Sequence, residues 1–264
     1  MKCIRTLSLG ALAAVSLLIL TGCQTVGETG RKQLVLVSAG EETQLGISSF
    51  DQLKKDTPIN HDPAINAMVQ RAGQRIAAVS GLPNAQWEFV VFESKDANAF
   101  CLPGGKVGIY TGILPITKDE AGLATVIGHE VAHAYAHHGA ERMSETMVAQ
   151  GLGSALGSAA ANSKYQSYVM AAYGGVSKYG FELPYSRLHE SEADHIGLRF
   201  MAKAGYDPEA SVAFWERFAA YNKQGGVSAA WYEQFLRTHP LDQTRINDLK
   251  KWMPEAKALY KPAK

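Results

Sequence analysis

His129, Glu130 and His133 form an H-E-x-x-H pattern in the run from Ala124 to Ala136, and no other stretch constrains the chain as strongly. On a helix, residues four apart lie one above the other on the same face. The two imidazoles can therefore converge on one Zn²⁺, with Glu130 beside it to handle a proton. Val126, Ile127, Val131 and Ala132 surround the polar triplet and no Pro interrupts them, so the pattern belongs to a buried helix. Burying two neutral His and a Glu without a partner is costly. A metal among them is favoured over a helix that merely carries them.

A third ligand has to come from elsewhere. His137 extends the series, but eight helical residues from His129 span about 12 Å, whereas nitrogens sharing one zinc lie within roughly 4 Å of each other. Gly139 stands six residues past His133, where a further His could have served. The run from Ser186 to Gly197 reads as a second helix, on which Glu190 and Asp194 share a face. A carboxylate from such a helix completes a His₂Glu site and leaves the fourth position to water. Asp194, one turn on, can accept the second N–H of a ligating His and fix its tautomer. Glu192 points about 200° away from Glu190, while His189 and His195 remain rival ligands on spacing alone. His239, ahead of Pro240, sits on a loop or helix start from which it can reach into a cleft.

The remaining chain supplies a body for this site. With 264 residues, 46% hydrophobic and 19% charged, it suits one globular domain, and a net charge of +1 gives no reason to expect nucleic acid. Lys2 and Arg5 precede an apolar run from Leu7 to Leu20 that is short for a membrane span and reads as a secretory leader over residues 1–22. Residues 23–40, punctuated by Gly27, Gly30 and Ser38, read as a tether, and residues 41–264 as the domain. A helix is expected from Ser38 to about Lys55, and an amphipathic one from Ala64 to Val79. Strands are expected at Trp87–Phe92, Ala97–Leu102 and Lys106–Tyr110, the last two joined by a turn at Pro103-Gly104-Gly105. Thr117–Glu120 caps the motif helix, which is expected to continue through His137 and His138 to Met143. Residues 150–180, rich in Gly, Ala and Ser, fit a close-packed helix or a flap equally well, and Gly225-Gly226 marks a loop before a final helix ending near Met253. The fold class is α+β, mainly helical, with a small sheet beside the motif helix. One edge of that sheet could hold an extended peptide backbone; a hairpin that only caps the core has the same spacing.

Two resemblances add to this reading. Leu20-Thr21-Gly22-Cys23 resembles the lipobox of bacterial lipoproteins, which implies cleavage before Cys23 and acylation of Cys23. Gln24 in place of Asp then suggests the outer membrane, facing the periplasm, and multiple acyl chains would give stable anchoring. With Cys3 lost and Cys23 lipidated, Cys101 stands alone and no internal disulfide is available. The second resemblance rests on His129-Glu-Val-Ala-His133, Glu190-Ser-Glu-Ala-Asp194, His239-Pro240 with Arg245-Ile246, and the run Asn98 to Gly105. Together these motifs resemble the gluzincin peptidase family that includes HtpX, the CAAX prenyl endopeptidases and the Oma-type proteases, over roughly residues 60–250. The resemblance implies a zincin-like domain with one Zn²⁺ held by His129, His133 and Glu190. It also implies Glu130 as general base, Asp194 and Arg245 behind the ligands, His239 stabilising the transition state, and Asn98, Ala99, Phe100 and Cys101 along the substrate. The expected function is zinc-dependent endopeptidase action on unfolded or misfolded proteins in the bacterial envelope, with envelope proteases or assembly machinery as partners. A non-catalytic zinc-containing chaperone or scaffold is the competing class, although a structural zinc has no need of Glu130. A zinc hydrolase of non-peptide envelope substrates is the third.

Overall fold

The computed structural model of the chain describes residues 22–156, 186–223, 239 and 243–262. The leader up to residue 21, the Gly/Ala/Ser-rich stretch after residue 156 with Tyr165, Tyr168 and Tyr173, and the Gly225-Gly226 loop lie outside the described residues. Two short strands, β1 (Cys23–Thr25) and β2 (Lys32–Leu34), precede helices α1 (Ala39–Asp56) and α2 (Pro63–Ala77). Strands β3 (Glu88–Phe92), β4 (Ala99–Leu102) and β5 (Lys106–Tyr110) follow, then a short α3 (Leu114–Thr117). The remaining helices are α4 (Glu120–Tyr135), α5 (His138–Leu156), α6 (Arg187–Lys203), α7 (Glu209–Lys223) and α8 (Gln243–Leu259).

Local chemistry sets four of the helix starts. Ser38 and Glu41 make a reciprocal capping box at α1. Asp62 accepts from the amides of Ala64 and Ile65 ahead of Pro63 at α2, Asp119 accepts from Gly122 at α4, and Ser186 accepts from His189 at α6. Each oxygen satisfies amides that have no partner inside the helix.

The three-stranded sheet has the order β3-β5-β4, with β3 parallel and β4 antiparallel to β5. The β4–β5 hairpin closes through Gly104 and Gly105, whose φ values of 83° and 81° suit residues without a Cβ. β4 is thereby an edge strand. It packs against α4, which also meets α2, α6 and α7, so every residue of α4 from Gly122 to His133 is buried. α4 crosses α6 at close range: a Cβ built on Gly197 would stand 2.9 Å from the His129 amide nitrogen and 3.0 Å from the Gly128 carbonyl.

Two expectations need correction. The expected tether over residues 23–40 is a packed part of the body: β1 and β2 pair antiparallel from Cys23↔Leu34 to Thr25↔Lys32, and Val26, Val35 and Val37 are buried. Its mixed basic and small residues look like solvated linker in sequence, but Arg31 lies between two buried carboxylates, those of Glu141 and Glu192. The motif helix also stops sooner than expected. The Ala136 amide still bonds back to Ala132, but His137 takes φ of 54° and α5 begins at His138. His137 holds this left-handed conformation with Nδ1 2.8 Å from Glu42 Oε2 on α1. That contact helps offset the strain of a side chain there.

Candidate metal centre

The α4–α6 crossing brings His129 and His133 from one helix against Glu190 and Asp194 from the other. Nε2 of His129 and Nε2 of His133 are 3.1 Å apart. Glu190 offers Oε1 at 3.3 Å from His133 Nε2 and Oε2 at 3.4 Å from His129 Nε2. His239 closes the cluster, with Nδ1 3.2 Å from His129 Nε2 and 3.1 Å from Glu190 Oε1. One donor atom from each of these four residues lies within 4.8 Å of all the others, and all four side chains are buried.

Proton placement tests whether this set suits a cation. His129 Nδ1 faces Asp194 Oδ1 at 3.0 Å, and the carboxylate favours a proton on that nitrogen. Its Nε2, aimed at a second imidazole nitrogen and a carboxylate, then holds either a proton or a metal ion. Such a cluster of lone pairs is repulsive unless a positive charge lies among them. The donor set, two or three imidazoles and one carboxylate, is also that of borderline divalent metals. The residues fit a metal ion.

The surrounding charges are held in place from α8. Arg245 grips Asp194 with Nε and Nη2, each at 2.7 Å, reaches Glu190 Oε2 with Nη1 at 2.7 Å, and lies 3.9 Å over the Trp215 ring. Burial pushes the Asp194 and Glu190 carboxyls up, but Arg245 and the neighbouring imidazoles outweigh it and keep both below the ordinary range. Burial likewise works against a charged His129, yet Asp194 and Glu190 raise its pKa to about 9. Burial drives His133 well below its usual value. Glu130 differs from the other carboxylates, because desolvation dominates and raises its pKa. Its Oε1 accepts no hydrogen bond among the described residues and has His239 Nε2 at 3.4 Å. A buried carboxylate with an open lone pair and a raised pKa is suited to carry a proton.

The residues expected on spacing separate clearly. His137 pairs with Glu42 away from the cluster, His189 faces Glu141, and the half-exposed His195 meets Glu255 at the surface. Glu192 points away from the donor set, towards Arg31 and His138. Of the residues expected along a substrate, Asn98 turns its side chain back to the Ala99 amide, and Phe100 packs with Phe50, Phe92 and Tyr110. Phe100 is therefore a core side chain. Cys101 lies nearer the centre, its thiol pushed up by burial and by the Glu130 charge, and Cys23 is exposed at the start of β1. Sequence reasoning missed Trp215, an aromatic on an amphipathic helix with nothing local to mark it. It also missed the group behind His133, where His138 Nδ1 lies 2.8 Å from His133 Nδ1; the unexpected helix break puts it there.

The chain is similar to several known proteases. The mitochondrial metalloendopeptidase OMA1 of Schizosaccharomyces pombe is 41% identical over 188 residues, covering 71% of this chain and 53% of that protein. OMA1 of Saccharomyces cerevisiae is 37% identical over 68% of this chain and 50% of its own length. The beta-barrel assembly-enhancing protease of Escherichia coli is 26% identical over 85% of this chain and 46% of that protein. The chain thus spans about half the length of the curated relatives it matches. Residues 63–253, from the first residue of α2 into α8, match peptidase family M48, and the chain belongs to that family.

Proposed function

We propose that the chain is a zinc-dependent endopeptidase. The observation that carries this is the buried His129–His133–Glu190 cluster with the open Oε1 of Glu130 beside it. Zinc, when bound there, supplies Lewis-acid polarisation of the scissile carbonyl and lowers the pKa of a water. Glu130 takes the proton of the attacking water and passes it to the leaving amine. His239, with Nε2 towards Glu130, donates to the oxygen on which negative charge develops. Asp194 and Arg245 hold His129 and Glu190 in orientation from behind. The edge of β4 that no described strand covers receives the substrate as an added strand through the backbone at Asn98 to Cys101, which makes recognition tolerant of sequence.

The substrates are unfolded or misfolded proteins of a bacterial envelope, and the chain is anchored in the outer membrane through an acylated Cys23. Similarity to the E. coli beta-barrel assembly-enhancing protease supports the envelope and its assembly machinery as the setting, as do the leader and the exposure of Cys23. β-Casein degradation, with zinc content assayed alongside, tests the activity. Wild type should cleave, and Glu130→Gln should keep its zinc while losing turnover by about 10²–10⁴-fold. Equal turnover with zinc retained would remove Glu130 as the base; zinc in both and cleavage in neither would favour the scaffold reading. Cys23→Ser should abolish membrane attachment without lowering cleavage, read by fractionating cells that express each form.

A further inference from the structure

Behind His133, on the side away from the donor set, lies a second polar group that joins the N-terminal ribbon to the centre. His138 Nε2 lies 2.9 Å from Glu192 Oε2, which accepts from Arg31 Nε at 2.6 Å. The other face of the Arg31 guanidinium gives Nη1 and Nη2 to Glu141, each at 2.7 Å, and Glu141 accepts from His189 Nε2 at 3.0 Å. His189 stacks on His138 with ring centroids 4.4 Å apart. The ribbon is fixed independently: Glu28 pairs with Arg199 and Lys203 of α6, and the Leu36 amide bonds to Ser144 of α5. His138, Glu192, Glu141 and His189 are all buried.

Among the described residues, one placement of protons suits this chain of contacts. Arg31 keeps Glu192 as a carboxylate, which requires the His138 proton on Nε2. His138 Nδ1 is then bare and accepts from His133 Nδ1–H. That leaves His133 Nε2, on the centre side, bare as well. The opposite order would put a proton on His133 Nε2, among the other donor atoms, and a lone pair of His138 against a carboxylate. His129 faces Asp194, which Arg245 holds in turn; for His133 an imidazole stands between the ligand and its carboxylate–arginine pair.

We propose that His138, Glu192 and Arg31 are positioning residues of the metal centre, selecting the His133 tautomer that bares Nε2, and that ribbon β1–β2 is thereby a structural part of the site. The inference rests on the reading of His129, His133 and Glu190 as metal ligands.

The test is zinc affinity of the full chain by competition with a chromophoric chelator, together with the visible spectrum of the Co²⁺-loaded protein and far-UV circular dichroism. His138→Leu should keep the helical spectrum, weaken zinc binding by about 10–100-fold and alter the Co²⁺ bands. His138→Gln presents an amide oxygen to His133 and an amide N–H to Glu192, and should restore most of the affinity. Arg31→Gln should weaken binding where Arg31→Lys recovers part of it; this pair decides the matter if His138→Leu does not fold. Folded His138→Leu or Arg31→Gln with wild-type affinity and unchanged Co²⁺ bands would overturn the inference alone. No zinc on the wild-type chain would overturn the metal-centre reading, and the inference with it.

Discussion

Arg245 is the residue at which two deeply buried carboxylates converge. It meets Asp194 and Glu190 at once and covers Trp215, with only 5% of its surface exposed. Ionised carboxylates this deeply buried are stable only when countered in place. Asp194→Asn keeps the size but offers His129 an amide in place of a full negative charge. It should cost about 10–100-fold in zinc affinity with little change in fold, measured by chelator competition and circular dichroism. His239→Ala should leave zinc bound through His129, His133 and Glu190 and lower kcat; an unchanged kcat would make His239 a bystander. At this scale the ligating pattern was readable because it is local: His129 and His133, and Glu190 and Asp194, are each one turn apart on one helix. Trp215 was not readable, because its partner Arg245 comes from a different helix and only the folded chain joins them.

Among the elements, the α4–α6 pair sets the reach between the two imidazoles and Glu190. Its closeness depends on Gly128 and Gly197, which let one backbone rest on the other. Gly197→Ala would drive a methyl group against the His129 amide, and overpacking of this kind costs about 1–3 kcal/mol. The helices should part by a few tenths of an ångström or more, so a lower melting temperature should come with weaker zinc binding. Loss of stability alone would show that the site tolerates the shift. Capping residues made the starts of α1, α2, α4 and α6 legible, and the hairpin glycines marked β4–β5. The end of α4 was not legible. A left-handed His has no local signal comparable to a Gly, and what holds it is Glu42, 95 residues earlier in the chain.

For the molecule as a whole, the ribbon brings acid sensitivity. Burial pushes the Glu141 carboxyl up, but His189 and Arg31 outweigh it and set its pKa at about 2, against 4.5 for the free group. A depressed folded-state pKa stabilises above the unfolded value and loses that contribution as pH falls through the folded one. Thermal stability should therefore decline below about pH 4.5 and continue to fall towards pH 2. Melting curves of wild type and Glu141→Gln across that range test the point, since the variant should lack this part of the decline. The ribbon escaped sequence reading for the same reason that it matters: Arg31 meets Glu141 110 residues away and Glu192 161 away, and neither partner is visible locally.

Cys23 opens β1, and its Cα partner Leu34 lies two residues before the amide that bonds to Ser144. If Cys23 carries a lipid, there is no leash between bilayer and body. A domain on a flexible linker sweeps a volume set by the length of that linker; this one would ride at a fixed height, pressed against the headgroups. The metal centre would then serve the thin layer of space next to the membrane, and a client would have to arrive there, whether by exposure during insertion or by failure to insert.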